Sequence, residues 1–186
     1  PLLEKFNTKY TSSPFEEIKE EHYLPAFQEL VKTSEKEIDD ITNNPEAPTF
    51  ENTIEAMAFS GEQLDRVSNI FFNLNSAETN DEIQKIAQEV SPLLTEFSSK
   101  ISQNEKLFER IKSVYDQKDS LSLNEEQQTL LNETYKGFVR SGALLSEEDK
   151  KKLEKINMDL SIKSLQFGQN ALASTNAYFK HITDKE

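Results

Sequence analysis

Residues 43–57 read "NNPEAPTFENTIEAM", a loop punctuated by Pro45 and Pro48 that runs into a helix start. Each Pro disfavours helical conformation in the residue before it, which holds "NNPEAP" extended. Thr49 then stands where a helix needs its N-cap, with a hydroxyl able to accept from the first free backbone N–H groups. Beyond it Phe50, Ile54, Met57, Gly61, Leu64, Val67, Phe71 and Leu74 recur at steps of three or four. That spacing predicts one unbroken amphipathic helix. Gly61 on the stripe costs about 1 kcal/mol against Ala, so it is expected at a close helix crossing. The stretch holds no catalytic side chain, and its expected task is to set where and at what angle a long core helix begins.

The same periodicity extends in both directions. Ser13-Pro14-Phe15-Glu16 carries helix-start signals and predicts a short turn near 14–19. Leu24, Phe27, Leu30, Val31, Ile38 and Ile41 make one helical face that ends at Asn43-Asn44-Pro45. A capping box at Thr79 to Glu82 predicts a helix through Ile83, Val90, Phe97 and Ile101, kinked or split by Pro92. A short helix is expected from about Asn104 to Tyr115. Ser122 with Glu125 is read as the cap of the next, which ends near Ser141-Gly142. Ser146 with Asp149 opens the last and longest helix. Leu153, Ile156, Leu160 and Phe167 form one of its stripes; Met158, Leu165 and Leu172 form a neighbouring one. Two stripes predict contact with more than one partner helix. The alternating "AYFKHITD" predicts a short terminal strand near 178–183. The fold class expected is therefore all-α, with many helices.

Composition agrees. The 186 residues are long enough to bury roughly 70% of their unfolded surface. They include only four Gly and six Pro, against usual shares of about 7% and 5%, so turns are few. Mean hydropathy is -0.70 and the pI about 4.7, and net charge is -13. Such a field repels phosphates and anionic lipid, which argues against nucleic acid and membrane as partners. No apolar run approaches the roughly 20 residues of a membrane span. The basic cluster Lys150 to Lys152 follows Glu147, Glu148 and Asp149; pairs Glu147 with Lys151 and Glu148 with Lys152 are expected on a solvated face. The absence of Cys excludes disulfides and thiol nucleophiles, and suits cytoplasm and periplasm equally. Pro1 in place of Met predicts that an initiator, a signal peptide or a tag once preceded it.

Chemistry is scarce. A di-iron carboxylate bundle needs Glu-x-x-His, but His22 has Lys19 three residues before it and His181 has Tyr178. A zincin needs His-Glu-x-x-His, which neither histidine begins. Phosphate loops and the Gly-x-Ser-x-Gly elbow are missing. Phe59, Phe71 and Phe72 could line a peptide groove, although aromatics at helical spacing are usually core. Glu16, Glu17, Glu20 and Glu21 are read as solvent-facing. No catalytic, cofactor-binding or metal residue is assigned to this chain.

Three stretches carry a resemblance. "NNPEAPTFENTIEAM" at 43–57, "SGEQLDRVSNIFFNLNSAETNDEIQKI" at 60–86 and "FVRSGALLSEEDKKKLEKINMDLSIKSLQFGQN" at 138–170, with "HYLPAFQEL" at 22–30, resemble the N-terminal part of the thimet oligopeptidase family of zinc metallopeptidases. The likeness is nearest to the bacterial peptidyl-dipeptidases, with oligopeptidase A second. It implies a two-lobed, channel-forming peptidase that releases C-terminal dipeptides from short peptides. Residues 1–186 would be its N-terminal helical domain and part of the channel wall. Zinc would belong to the full-length parent, held by a His-Glu-x-x-His in a separate C-terminal catalytic domain, the expected partner. No family site residue maps onto this chain. The alternative is a free-standing helical module that binds peptides or proteins without catalysis; an unpaired terminal strand argues against it.

Overall fold

The computed structural model describes residues 1–181. Among them are six helices longer than one turn and no strand. Helix α1 spans Tyr23–Thr42, and a π-helical segment Phe50–Glu55 leads into the single turn α2, Ala56–Phe59. Then follow α3 (Glu62–Ala77), α4 (Asp81–Ser102), α5 (Glu105–Asp116), α6 (Glu125–Arg140) and α7 (Glu147–Ala177).

Two apolar cores are strung along α1. Its first half puts Phe27, Leu30 and Val31 among Val67 and Phe71 of α3 and Ile86 and Val90 of α4. The Phe71 ring lies 5.0 Å from that of Tyr23 and 5.5 Å from Phe27, the latter edge-on. Each such pair adds about 0.5–1.5 kcal/mol beyond its buried area. The far end of α1 supplies Ile38 and Ile41 to a second core with Phe50, Ile54, Leu107, Ile111 and Leu131. Stacked rings of Tyr115 and Tyr135, 3.9 Å apart, join α5 to α6 beside it. Thus the "PTFENTI" segment serves the second core, while the residues after Gly61 serve the first.

That division corrects the expectation of one unbroken helix. The chain leaves α2 at Ser60, which is extended, and Gly61 takes φ +75°, a left-handed conformation that glycine adopts without the Cβ clash. Gly61 does approach α1: its N–H donates to Glu37 Oε2 at 2.8 Å, and an added Cβ would sit 3.7 Å from Ser34 Oγ. The apolar period survives the break because both pieces still face α1.

Thr49 Oγ1 accepts from the Asn52 N–H at 3.1 Å, as the capping pattern predicts. Ser146 caps α7 through the Asp149 N–H at 3.2 Å. Two other caps shift. Asn80, not Thr79, caps α4, and Asn124, not Ser122, caps α6; both side-chain oxygens accept at 2.9 Å from the N–H three residues on. An Asn amide oxygen reaches that N–H as well as a hydroxyl does, so a second polar residue one position on, as Asn80 after Thr79, or two, as Asn124 after Ser122, leaves the register open. Pro92 neither splits nor ends α4: the helix gives up one backbone bond while Val90, Leu93, Leu94 and Phe97 stay packed against the first core on both sides of it.

The expected turn near 14–19 forms, with the Ile18 N–H donating to the Pro14 carbonyl at 3.2 Å. The expected terminal strand does not appear over Tyr178 to His181, which are exposed and without regular structure. Among the described residues no strand exists to pair with them; residues 182 and 183 lie outside the described part.

α7 packs chiefly along α4. Leu165 reaches the first core, whereas Ile156, Leu160 and Phe167 stay exposed. The start of α7 also meets α5, through Lys150, while the Ile156, Leu160 and Phe167 stripe faces solvent among the described residues.

Candidate functional site

Among the described residues neither histidine has other ligand side chains gathered around it. His22 ends a 3-10 turn, where its Nδ1 accepts from the Lys19 N–H at 3.0 Å and so closes that turn. Its Nε2 stands 4.0 Å from Glu21 Oε1. His181 follows α7 and is exposed. Among the described residues no three His, Asp or Glu side chains converge as metal ligands do. Zinc requires about four tightly held N, O or S donors, or three with an open position, so these residues do not fit it.

The aromatic candidates part company. Phe71 is fully buried and Phe72 packs beside it, 5.1 Å between centroids, so both are core. Phe59 is 72% exposed at the end of α2, beside the helix break. Glu16, Glu17 and Glu21 face solvent as expected, and the half-buried Glu20 accepts from Asn80 Nδ2 at 2.6 Å.

Two polar clusters that the sequence reading missed hold the fold together. Arg110, buried on α5, donates from Nη1 to the Asn44 and Glu46 carbonyls at 2.9 and 3.1 Å and from Nη2 to Asn52 Oδ1 at 3.0 Å. Its planar fork matches three acceptors of the "NNPEAPTFEN" loop at once. The second cluster corrects the solvated-face reading of Lys150 to Lys152. Lys152 does pair with Glu148 at 2.8 Å. Lys150, however, is only 4% exposed and bridges Glu105 at 2.8 Å and Glu147 at 3.0 Å, tying the start of α7 to the start of α5. Hydrogen bonding from Lys150, then its charge, holds the Glu105 carboxyl below the usual range, and the same bond raises the Lys150 ammonium. Both stay ionised at neutral pH and neither is suited to proton transfer.

A cleft of about 560 Å³ lies between α3, α4 and α6. Leu64, Leu94, Phe97, Ile101 and Phe138 supply apolar lining, with the carboxylates of Asp65 and Glu133. Lys136, bonded to Glu133 at 2.8 Å, holds that carboxyl below the usual range. The cleft can receive an apolar group, and none of the hydroxyls of its lining, Ser68, Ser98, Ser102, Thr134 and Ser141, is hydrogen-bonded to Asp65 or Glu133. Tyr23 has its phenol pushed up by burial and sits in the core beside Phe71, away from this cleft.

A scaffold of packed helices with its polar groups spent on structure can be placed by comparison. The family model for the N-terminal domain of neurolysin/thimet oligopeptidase matches residues 27–150. The chain belongs to the neurolysin/thimet oligopeptidase family. It is 40% identical over 177 residues to a dipeptidyl carboxypeptidase of Salmonella typhimurium, covering 95% of this chain and 26% of that protein. The Escherichia coli dipeptidyl carboxypeptidase is 37% identical over the same shares. Oligopeptidase A of Salmonella typhimurium is 26% identical over 185 residues, all of this chain and 27% of the relative. The chain therefore spans about a quarter of the length of these relatives. Family membership accounts for the capping and packing motifs at 43–57 and 60–86, which lie inside the matched residues.

Proposed function

We propose that residues 1–186 form the noncatalytic N-terminal helical domain of a zinc metallopeptidase of the dipeptidyl carboxypeptidase kind. That enzyme would release dipeptides from the C-termini of short peptides, and these helices would form part of the wall of its substrate channel. The observation that carries the reading is the 40% identity over 95% of the chain to a protein of that name, of which the chain covers 26%. A stiff wall of helices would select substrates by excluded volume, admitting short or extended peptides to a zinc site in a separate C-terminal catalytic domain. The Arg110 clamp and the Glu105–Lys150–Glu147 cluster support a wall of fixed shape.

A second reading is a free-standing helical module that binds peptides or proteins. The exposed Ile156, Leu160 and Phe167 of α7 favour it, because an unpartnered apolar ridge is also what a binding module presents.

The natural reading frame separates the two. A His-Glu-x-x-His motif encoded several hundred codons downstream supports the peptidase domain; a stop codon close after Glu186 overturns it in favour of the module.

A further inference from the structure

Exposed apolar surface is concentrated on and around α7. Of the fourteen large apolar side chains exposed among the described residues, nine fall between Leu144 and Phe179. Ile156 and Leu160 are 60% exposed and Phe167 is 76% exposed. At i, i+4 and i+11 these three share one side of the helix over about three turns. The other side carries buried Lys150, half-buried Met158 and Leu165, which reaches the first core. Exposed Lys155 and Asp159 lie beside the ridge, and exposed Lys163, at i+7, stands on its line between Leu160 and Phe167. Single exposed apolar residues are ordinary, but a three-turn ridge with a charged margin has the anatomy of an interface.

Two observations choose its occupant. The relatives hold about three quarters of their length outside the region matched here. A second copy of this chain would bring another net charge of -13 to the contact, and that repulsion disfavours self-pairing. We infer that the Ile156, Leu160 and Phe167 ridge of α7 is covered by the remainder of the longer polypeptide of which this chain is one domain. The inference rests on the peptidase-domain reading and assigns the surface through which this domain joins the rest.

The chain contains no Cys, so a thiol placed in it reports its own position. Ile156→Cys, Leu160→Cys and Phe167→Cys, with Lys155→Cys on the charged margin as reference, are made one at a time in the natural full-length protein. Each is alkylated natively and in urea, and labelling is read on the peptide that carries the residue. The ridge positions are expected to label about tenfold or more slowly in the native protein than in urea, with Lys155→Cys little changed. Three separate positions keep the test alive if one variant misfolds. Ridge thiols that label as fast as the reference, in a protein that still releases dipeptides in a chelator-sensitive way, overturn this inference and leave the peptidase reading standing. Protection that fades on dilution assigns the ridge to a second copy and overturns it too. A natural frame that closes just after Glu186 overturns both.

Discussion

The guanidinium of Arg110 donates to Asn52 Oδ1 at 3.0 Å, joining α5 to the third residue of the π-helical segment that Thr49 caps. Asn52 is the node: its Oδ1 also accepts from the Thr49 N–H at 2.9 Å, and its Nδ2 donates to the Ala47 carbonyl at 2.9 Å. The loop, the π-helical segment and α5 are thereby fixed to one another through one amide and one guanidinium.

Arg110→Met would strip three loop acceptors of a charged donor inside the second core. Bonds to charged groups each contribute about 1.5–3 kcal/mol, though shared geometry makes their sum smaller than additive. A loss of about 2–4 kcal/mol is expected in urea unfolding, against about 1 kcal/mol or less for Lys155→Met on the solvated margin of α7. Equal midpoints for the two variants would contradict the clamp.

Gly61 and Gly168 should respond to Ala with opposite signs. Gly61 has φ +75° with room for a Cβ, so Gly61→Ala costs about 1–2 kcal/mol through backbone conformation alone. Gly168 lies inside α7 with nothing within 4 Å of an added Cβ, and Gly168→Ala gains about 0.5–1 kcal/mol. Thermal unfolding of both variants reads the signs directly.

The Glu105–Lys150 pair sets a pH dependence. The Glu105 pKa is lowered from 4.5 in the folded state, chiefly by the hydrogen bond from Lys150. Its contribution is full above 4.5 and disappears as pH falls through the lowered folded value. Lys150 is raised above 10.5, so its share is full below 10.5 and is lost as pH rises through the raised value. The stability gap between the native chain and Glu105→Gln is expected to be constant at neutral pH and to close in acid. A gap that persists unchanged in strong acid would remove the pair as its cause.

Burial ranks the aromatics. Phe71→Ala is expected to cost about 3–5 kcal/mol because its ring is fully enclosed. In this chain by itself Phe167→Ala should stay within about 0.5 kcal/mol, since little of its surface leaves water. A comparable loss from both would mean that the α7 ridge is covered within the chain itself.

Helix existence was legible where period and cap agreed, as in α1 with its Phe27, Leu30 and Ile38 face and in α7 behind Ser146. The Gly61 break was hidden because Met57 and Leu64 continue the same stripe across it, and periodicity records which side faces α1 without recording a left-handed joint. Asn80 and Asn124 were missed as caps because neighbouring hydroxyls fit the same pattern. Arg110 and Lys150 could not be placed from sequence: Arg110 takes its partners from a loop more than forty residues away, and Lys150 takes one of its two, Glu105, from as far. A Lys three residues after Glu147 was a visible hint of local pairing, but its burial depended on where α7 meets α5. The family resemblance rested on the caps and core stripes that the folded helices use, and for that reason it identified a scaffold and named no site residue.

The central claim is that this domain shapes a peptidase without doing its chemistry. The most direct test incubates short peptides with the natural full-length protein and, separately, with residues 1–186, each with added zinc and with or without chelator, while released dipeptides are measured. Chelator-sensitive dipeptide release by the full-length protein and none by residues 1–186 is the predicted result; release by residues 1–186, or none by a folded, zinc-loaded full-length protein, would contradict it.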